Sequence, residues 1–203
     1  MRNIILFAED FAHESFLNAL VERLARDLEI EVTIRTRSAS GGYGRMVSEL
    51  KQYLRELSSG DGPLPDGLLI ARDANCKGFQ ACRNELEKVV PDSLRGLTIY
   101  AIPDPHIERW LLLDPPAFKA VLGSGCSTPS YKCEKARYKK LLIEAILATG
   151  VSPLLGGIEH TEDIVRELNL TRLEQADNAF GRLLKDLRSN FKQWATVDSP
   201  SEP

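Results

Sequence analysis

The sequence lacks any apolar run of about 18 residues or more, so no segment is predicted to span a membrane as a helix. Its first ten residues, MRNIILFAED, contain an apolar stretch too short for the central region of a signal peptide. We interpret that stretch as a first strand. Together these absences predict a cytoplasmic protein with no membrane partner.

The sequence also lacks an excess of positive charge. It contains 26 Lys and Arg against 29 Asp and Glu, which gives a net charge of −3. A coat protein that binds nucleic acid without specificity would be basic, so this balance argues against that class. It does not argue against a metal-dependent nuclease, because clustered carboxylates lower the isoelectric point while a bound metal supplies local positive charge.

A phosphate-binding P-loop is missing as well. The glycine-rich stretch Gly41-Gly42-Tyr43-Gly44 is not followed by the Lys-Ser/Thr pair of that motif. We therefore reject a nucleoside triphosphatase activity for this chain.

Cysteines are few: Cys76, Cys82, Cys126 and Cys133. Five residues separate the first pair and six the second, whereas ligand pairs in zinc knuckles are spaced more closely. In a reducing compartment these residues are predicted to be free thiols. A zinc site made by both pairs remains an alternative.

The first half of the chain alternates apolar strand-like runs with helical patterns. The predicted strands cover residues 2–8, 30–36, 67–71 and 97–102, and the predicted helices cover 13–28, 45–57 and 79–90. Such alternation predicts an α/β fold, with a mostly parallel sheet of about four strands flanked by helices.

The pattern changes after residue 104 and becomes mainly helical, with predicted helices over 135–149, 161–168 and 172–194. We accordingly predict an α/β core over residues 1–122 and a helical C-terminal extension over 123–194. Residues 195–203 carry no core-forming pattern and are predicted to be a disordered tail.

Acidic side chains follow three of the predicted strands. Parallel strands end at the same edge of a sheet, where ligands bind, and oxygen ligands are those that Mg²⁺ prefers. The sequence therefore predicts a divalent-metal site at this edge. The alternative is that these are solvated loop acids that cap helices. The strand-end residues are Glu9, Asp10, His13 and Glu14, then Asp73 and Asn75, then Asp104, His106 and Glu108.

Three segments carry a resemblance to the Toprim domain, the fold shared by topoisomerases and primases. Glu9 closes the first strand, and Asp73-Ala74-Asn75 is similar to an Asp-x-Asp motif. The segment from Ile102 to Asp114, IPDPHIERWLLLD, resembles the Pro-x-x-x-Ile-Glu-x-Trp-Leu-Leu-x-Asp segment of small bacterial Toprim-like proteins. Those proteins are related to the overcoming-lysogenization-defect nucleases and accompany ABC-type ATPases in phage defence.

The resemblance implies Mg²⁺ or Mn²⁺ as cofactor and assigns roles to individual residues. Glu9 would be a metal ligand or general base, Asp73 the principal ligand and Glu108 a further acidic ligand. Asn75, in place of a second Asp, would keep an oxygen ligand but lose its charge. Further candidates for the site are Asp10, His13, Glu14 and Asp104.

A basic run follows the polar loop that ends at Tyr131. It is formed by Lys132, Lys135, Arg137, Lys139 and Lys140. These residues are either a solvated helix face or contacts for phosphates, and Lys139 is our candidate for the side chain nearest the reacting phosphate. Trp110, within an apolar segment, is predicted to belong to the core.

These inferences predict a metal-dependent nuclease that cleaves phosphodiester bonds in nucleic acid, DNA rather than RNA. The resemblance further implies that it is the effector subunit of an ATPase-containing antiviral assembly. One alternative is a catalytically degenerate subunit that binds an ATPase partner or DNA without cleaving it. Another is a phosphatase or phosphoryl-transfer enzyme acting on small molecules, since fold alone does not decide function.

Overall fold

A four-stranded parallel sheet lies at the centre of the protein. The strands are β1 (Arg2–Ala8), β2 (Val32–Ser38), β3 (Gly67–Ala71) and β4 (Thr98–Ala101). They are arranged in the order β2-β1-β3-β4, and every neighbouring pair is parallel. The structure is a computed structural model that describes residues 1–38, 41–60, 62–134 and 136–198. The predicted α/β fold with a four-stranded, parallel sheet is confirmed.

Ten helices occur in the described part of the chain, and one 3₁₀ turn, Ile158–His160, precedes the eighth. None of these described helices is long and apolar enough to cross a membrane. The helices are α1 (Phe11–Asp27), α2 (Gly42–Ser58), α3 (Phe79–Glu87), α4 (Asp92–Arg95), α5 (Glu108–Leu111), α6 (Pro115–Leu122), α7 (Arg137–Leu147), α8 (Thr161–Glu167), α9 (Leu170–Ala176) and α10 (Asn178–Asp198).

Both faces of the sheet are buried, as expected for parallel strands flanked by helices. Side chains alternate along β1, so that Leu6 packs with α1 and the C-terminal helices while Phe7 packs with α2 and α3. Because all four strands are parallel, the loops that follow them lie at one edge of the sheet. That edge carries the candidate site.

The helical C-terminal extension is also confirmed. It packs on the sheet through Phe180, Leu184 and Trp194 of α10, which belong to the same apolar core as α1. Helix α10 continues to Asp198, beyond the predicted start of the tail at residue 195. Residues 199–203 lie outside the described residues, and the boundary at residue 122 stays a prediction.

The continuous helix predicted over 172–194 is wrong, because the chain breaks at Asp177. The backbone of Asp177 is extended, with φ −143°, and separates α9 from α10. Its buried carboxylate accepts the Phe180 N–H at 2.9 Å and the Trp110 Nε1–H at 3.1 Å, and it pairs with Arg109. These three partners hold Asp177 at the start of α10 and prevent α9 from continuing.

A carboxylate and histidine cluster at the end of the sheet

Side chains from three strand ends meet around Asp73. Glu9 follows β1 directly, Asp73 follows β3, and His106 and Glu108 follow β4 at the start of α5. The Asp73 N–H donates to Glu9 Oε2 at 3.1 Å, and the His106 Nδ1 lies 2.9 Å from Asp73 Oδ2. We call Glu9, Asp10, His13, Asp73, His106 and Glu108 the Asp73 cluster.

Asp73 is held between two imidazole rings. The Nε2 of His13 lies 3.1 Å from Oδ1 without the alignment of a hydrogen bond, and His106 Nδ1 contacts Oδ2. The Ile107 N–H donates to Oδ1 at 3.0 Å. Burial alone would raise the pKa of Asp73, but the charge of His13 and the hydrogen bond and charge of His106 outweigh it and lower that pKa to about 2. Asp73 is therefore an ionised carboxylate at neutral pH.

His13 connects Asp73 to the start of α1. Its ring is fully buried, and its Nδ1 lies 2.7 Å from Asp10 Oδ1, which also caps α1 by accepting the His13 N–H. Burial lowers the pKa of His13, but Asp73 and Asp10 together raise it to about 10. Burial would raise the pKa of Asp10, but the hydrogen bonds and charge of His13 outweigh this effect and lower that pKa. His13 is thus a buried imidazolium between two carboxylates.

The remaining carboxylates of the cluster are Glu9 and Glu108. Within the described part of the chain, neither forms an ion pair. Burial raises the pKa of both, the charge of His13 opposes this only in part, and repulsion from Asp73 raises the pKa further. Carboxyl groups whose pKa moves towards neutrality are suited to exchange protons during a reaction.

His106 is the imidazole of the cluster that reaches solvent, with 13% of its side chain exposed. Its hydrogen bond to Asp73 raises its pKa, against the smaller effect of burial. Since Asp73 occupies Nδ1, the Nε2 is the ring nitrogen left for proton transfer. The ring packs near Tyr138 of α7, with 6.3 Å between centroids.

The predicted metal site is not assembled by these side chains as they stand. Across residues 1–38, 41–60, 62–134 and 136–198, no group of three or more His, Cys, Asp or Glu side chains is placed to hold a metal ion. Asp73, the predicted principal ligand, already has both oxygens engaged by the histidines and the Ile107 N–H. The donors do not fit a metal without rearrangement of Asp73.

Asn75 and Glu14 lie apart from the cluster. Asn75 is exposed in a left-handed conformation, with φ 46°, and its N–H donates to the Pro105 carbonyl at 3.1 Å. Glu14 lies on another side of α1, in a hollow shared with Phe11 and Glu162. The second position of the Asp-x-Asn motif therefore faces solvent rather than Asp73.

The other predicted residues are distributed around the site. Asp104 accepts a hydrogen bond from the Tyr131 hydroxyl at 3.3 Å. Lys139 is exposed on α7 beside Gly156, and no hydrogen bond or ion pair among the described residues links it to the Asp73 cluster. Lys135 lies outside the described residues. Trp110 is fully buried, as predicted.

Arg72 is a structural residue of this site that the sequence analysis did not identify. It is 3% exposed, its Nη1 lies 2.7 Å from Glu85 Oε2, and its guanidinium stacks on Tyr43 at 3.6 Å. Its Nε donates to the Asp73 carbonyl at 3.2 Å, which fixes the backbone beside the cluster. The only signal in the sequence was its position between β3 and Asp73.

The prediction of four free thiols is wrong for two of the cysteines. Cys76 and Cys133 form a disulfide with a Cα–Cα separation of 5.7 Å, while Cys82 and Cys126 are free. The bond ties the loop after Asp73 to the segment that carries Tyr131. A zinc site made by both cysteine pairs is incompatible with it, because bonded sulfurs cannot serve as thiolate ligands.

Compared with known protein families, with curated proteins and with solved structures, the chain gave no match.

Proposed function

We propose that this chain is a nuclease that hydrolyses phosphodiester bonds of nucleic acid at the Asp73 cluster. The observation that supports it best is the arrangement of Asp73 between two histidines, beside two carboxylates that form no ion pair with any described residue. Ionisable groups with opposite shifts in pKa, gathered at the open edge of a parallel sheet, are typical of acid–base sites.

The cluster contains groups for each proton transfer that hydrolysis of a phosphodiester requires. Asp73 orients His106, so that Nε2 can accept a proton from an attacking water. Glu9 or Glu108, each with a raised pKa, can return a proton to the departing oxygen. His13, as a buried imidazolium, keeps Asp73 ionised throughout.

Cationic side chains next to the cluster favour a phosphate there. Arg72 directly precedes Asp73, and the His13 imidazolium lies within the cluster, so both add positive charge there. Positive charge near a site attracts the phosphates of nucleic acid without reading their sequence.

The proposal includes three further features that rest on the resemblance to Toprim-like proteins. They are a requirement for Mg²⁺ or Mn²⁺, a cytoplasmic location and an ABC-type ATPase partner. Glu9, Asp73 and Glu108 would be the ligands if Asp73 released its histidines. DNA is the proposed substrate rather than RNA.

One observation favours a second candidate, a non-catalytic subunit that binds an ATPase partner or DNA. Asn75 is exposed and contributes nothing to the Asp73 cluster, while the oxygens of Asp73 are already engaged. A subunit of this kind would bind its partners normally and cleave nothing.

The test is a cleavage assay on plasmid DNA and on RNA, with Mg²⁺, with Mn²⁺ and with chelator. Wild type is compared with Asp73→Asn, which keeps the size of the side chain but removes its charge. We expect cleavage by wild type and a loss of about 10²-fold or more in the variant, the usual contribution of an oriented acid–base group.

The matched control is Asp66→Asn, because Asp66 precedes the same strand at its opposite end and pairs with Arg2. Its activity should stay close to that of wild type. Folded Asp73→Asn protein with full activity would refute the proposal, and inactive wild type under all three conditions would favour the non-catalytic subunit.

A further inference from the structure

A second feature near the Asp73 cluster is a cavity of about 810 Å³ between α3 and the start of α10. Its size falls in the range of small-molecule sites. Its walls are formed by the first turn of α3, by the loop that contains Asp104, by the side chain of Tyr131 and by the junction of α9 with α10. The proposed function does not use this cavity.

The cavity wall is rich in positive charge although the chain as a whole is acidic. Four cations line it, Lys77, Arg83, Arg109 and Arg182, against the two acids Asp104 and Asp177. Lys77 pairs with Glu85 and Arg83 with Glu87, both outside the wall. Arg182 has no ion pair with any described residue, and its guanidinium lies 4.8 Å from the Phe79 ring centroid.

Two sets of donors in the wall have no hydrogen-bond partner among the described residues. Helix α3 begins after Gly78, and no side chain caps the N–H groups of its first turn, which includes the wall residues Phe79, Gln80 and Ala81. Arg109 is 7% exposed and bound to Asp177, yet its buried Nε has no hydrogen-bond partner in the part of the chain that the structure describes. Buried donors without partners are costly and call for an acceptor.

An aromatic surface completes the wall. Tyr131 is 54% exposed, and its hydroxyl is anchored on Asp104 at 3.3 Å. Exposed aromatic rings beside cations are the elements that hold nucleotide bases and phosphates together, since any base can stack on the ring.

We propose that this cavity binds a nucleotide unit, with its phosphate at Arg182, Lys77 and the first turn of α3 and its base against Tyr131. The unit comes either from a free mononucleotide or from a nucleic-acid strand. The site stands independently of cleavage at the Asp73 cluster, since it is tested by binding alone.

The test is isothermal titration calorimetry with thymidine 5′-monophosphate, with a short single-stranded oligothymidine and with thymidine, in the absence of divalent metal. The variant is Arg182→Glu. Its matched control is Lys185→Glu, which makes the same charge change three residues along α10, at an exposed position outside the cavity. Thermal unfolding checks that both variants remain folded.

We expect at least one phosphate-bearing probe to bind, Arg182→Glu to weaken it about tenfold or more, and Lys185→Glu to change it about twofold or less. Binding of the monophosphate assigns a free nucleotide, and binding of the oligonucleotide alone assigns a strand. Three results would overturn the proposal: no binding of either probe, equal binding of thymidine, or equal losses in the two variants.

Discussion

The buried pair of Asp177 with Arg109 makes a strong prediction about stability. Their side chains are 6% and 9% exposed, and Asp177 also accepts N–H groups from Phe180 and Trp110. The substitution Asp177→Ala leaves the Arg109 charge and the Trp110 indole N–H buried without an acceptor. It also removes the side chain that caps α10. Breaking a buried ion pair on one side costs about 3–5 kcal/mol.

A loss of this size is large against a typical total stability of about 5–15 kcal/mol. For a chain of this length it corresponds to a fall in Tm of roughly 6–20 °C, at about 2–4 °C per kcal/mol. The assay is urea unfolding followed by circular dichroism. The variant Asp177→Asn keeps an acceptor for the two N–H groups, so its stability should fall less than that of Asp177→Ala.

The control is Asp163→Ala, which breaks an exposed pair with Arg166 on α8. Such pairs contribute about 1 kcal/mol or less. If Asp177→Ala lost no more than Asp163→Ala, the argument from burial would be refuted.

Three further predictions concern the Asp73 cluster and its loop. The pKa of His13 is raised to about 10, so its contribution to the free energy of unfolding is fully present below pH 6.5 and is lost as the pH rises towards 10. Urea unfolding of wild type should show this fall in stability, and an equal fall in His13→Gln would contradict it. Reduction of the Cys76–Cys133 disulfide should lower the stability of wild type by up to about 4 kcal/mol, because the bond limits the entropy of the unfolded chain between the two cysteines. The same reducing agent should not change the thermal unfolding of the double variant Cys76→Ser, Cys133→Ser. Loss of cleavage in His106→Ala should be partly restored by added imidazole; a variant that imidazole does not rescue would argue against proton transfer at this ring.

The sheet was predictable because buried parallel strands are nearly continuous apolar runs. The bounds of β1 and β3 match the predicted strands 2–8 and 67–71. Their parallel arrangement then brings Glu9, Asp73 and Glu108 to one edge, which the alternation of strands and helices already implied. Helix α6 was not predicted, although Pro115 stands at its start and proline suits the first position of a helix.

The contacts that define the site were not predictable from local patterns. The contact of His13 with Asp73 depends on how α1 packs on the sheet. The sequence predicted His13 only as one of several candidates for the site. The Cys76–Cys133 bond spans 57 residues, and the pair of Arg109 with Asp177 spans 68. Long-range contacts of this kind leave no periodicity in the sequence.

Cleavage at the Asp73 cluster is best tested by the single-turnover rate on a labelled DNA at saturating protein, because this rate separates bond cleavage from binding. We expect Asp73→Asn to cleave about 10²-fold more slowly than wild type or worse, while binding the DNA with similar affinity. Equal rates for wild type and folded Asp73→Asn would contradict it.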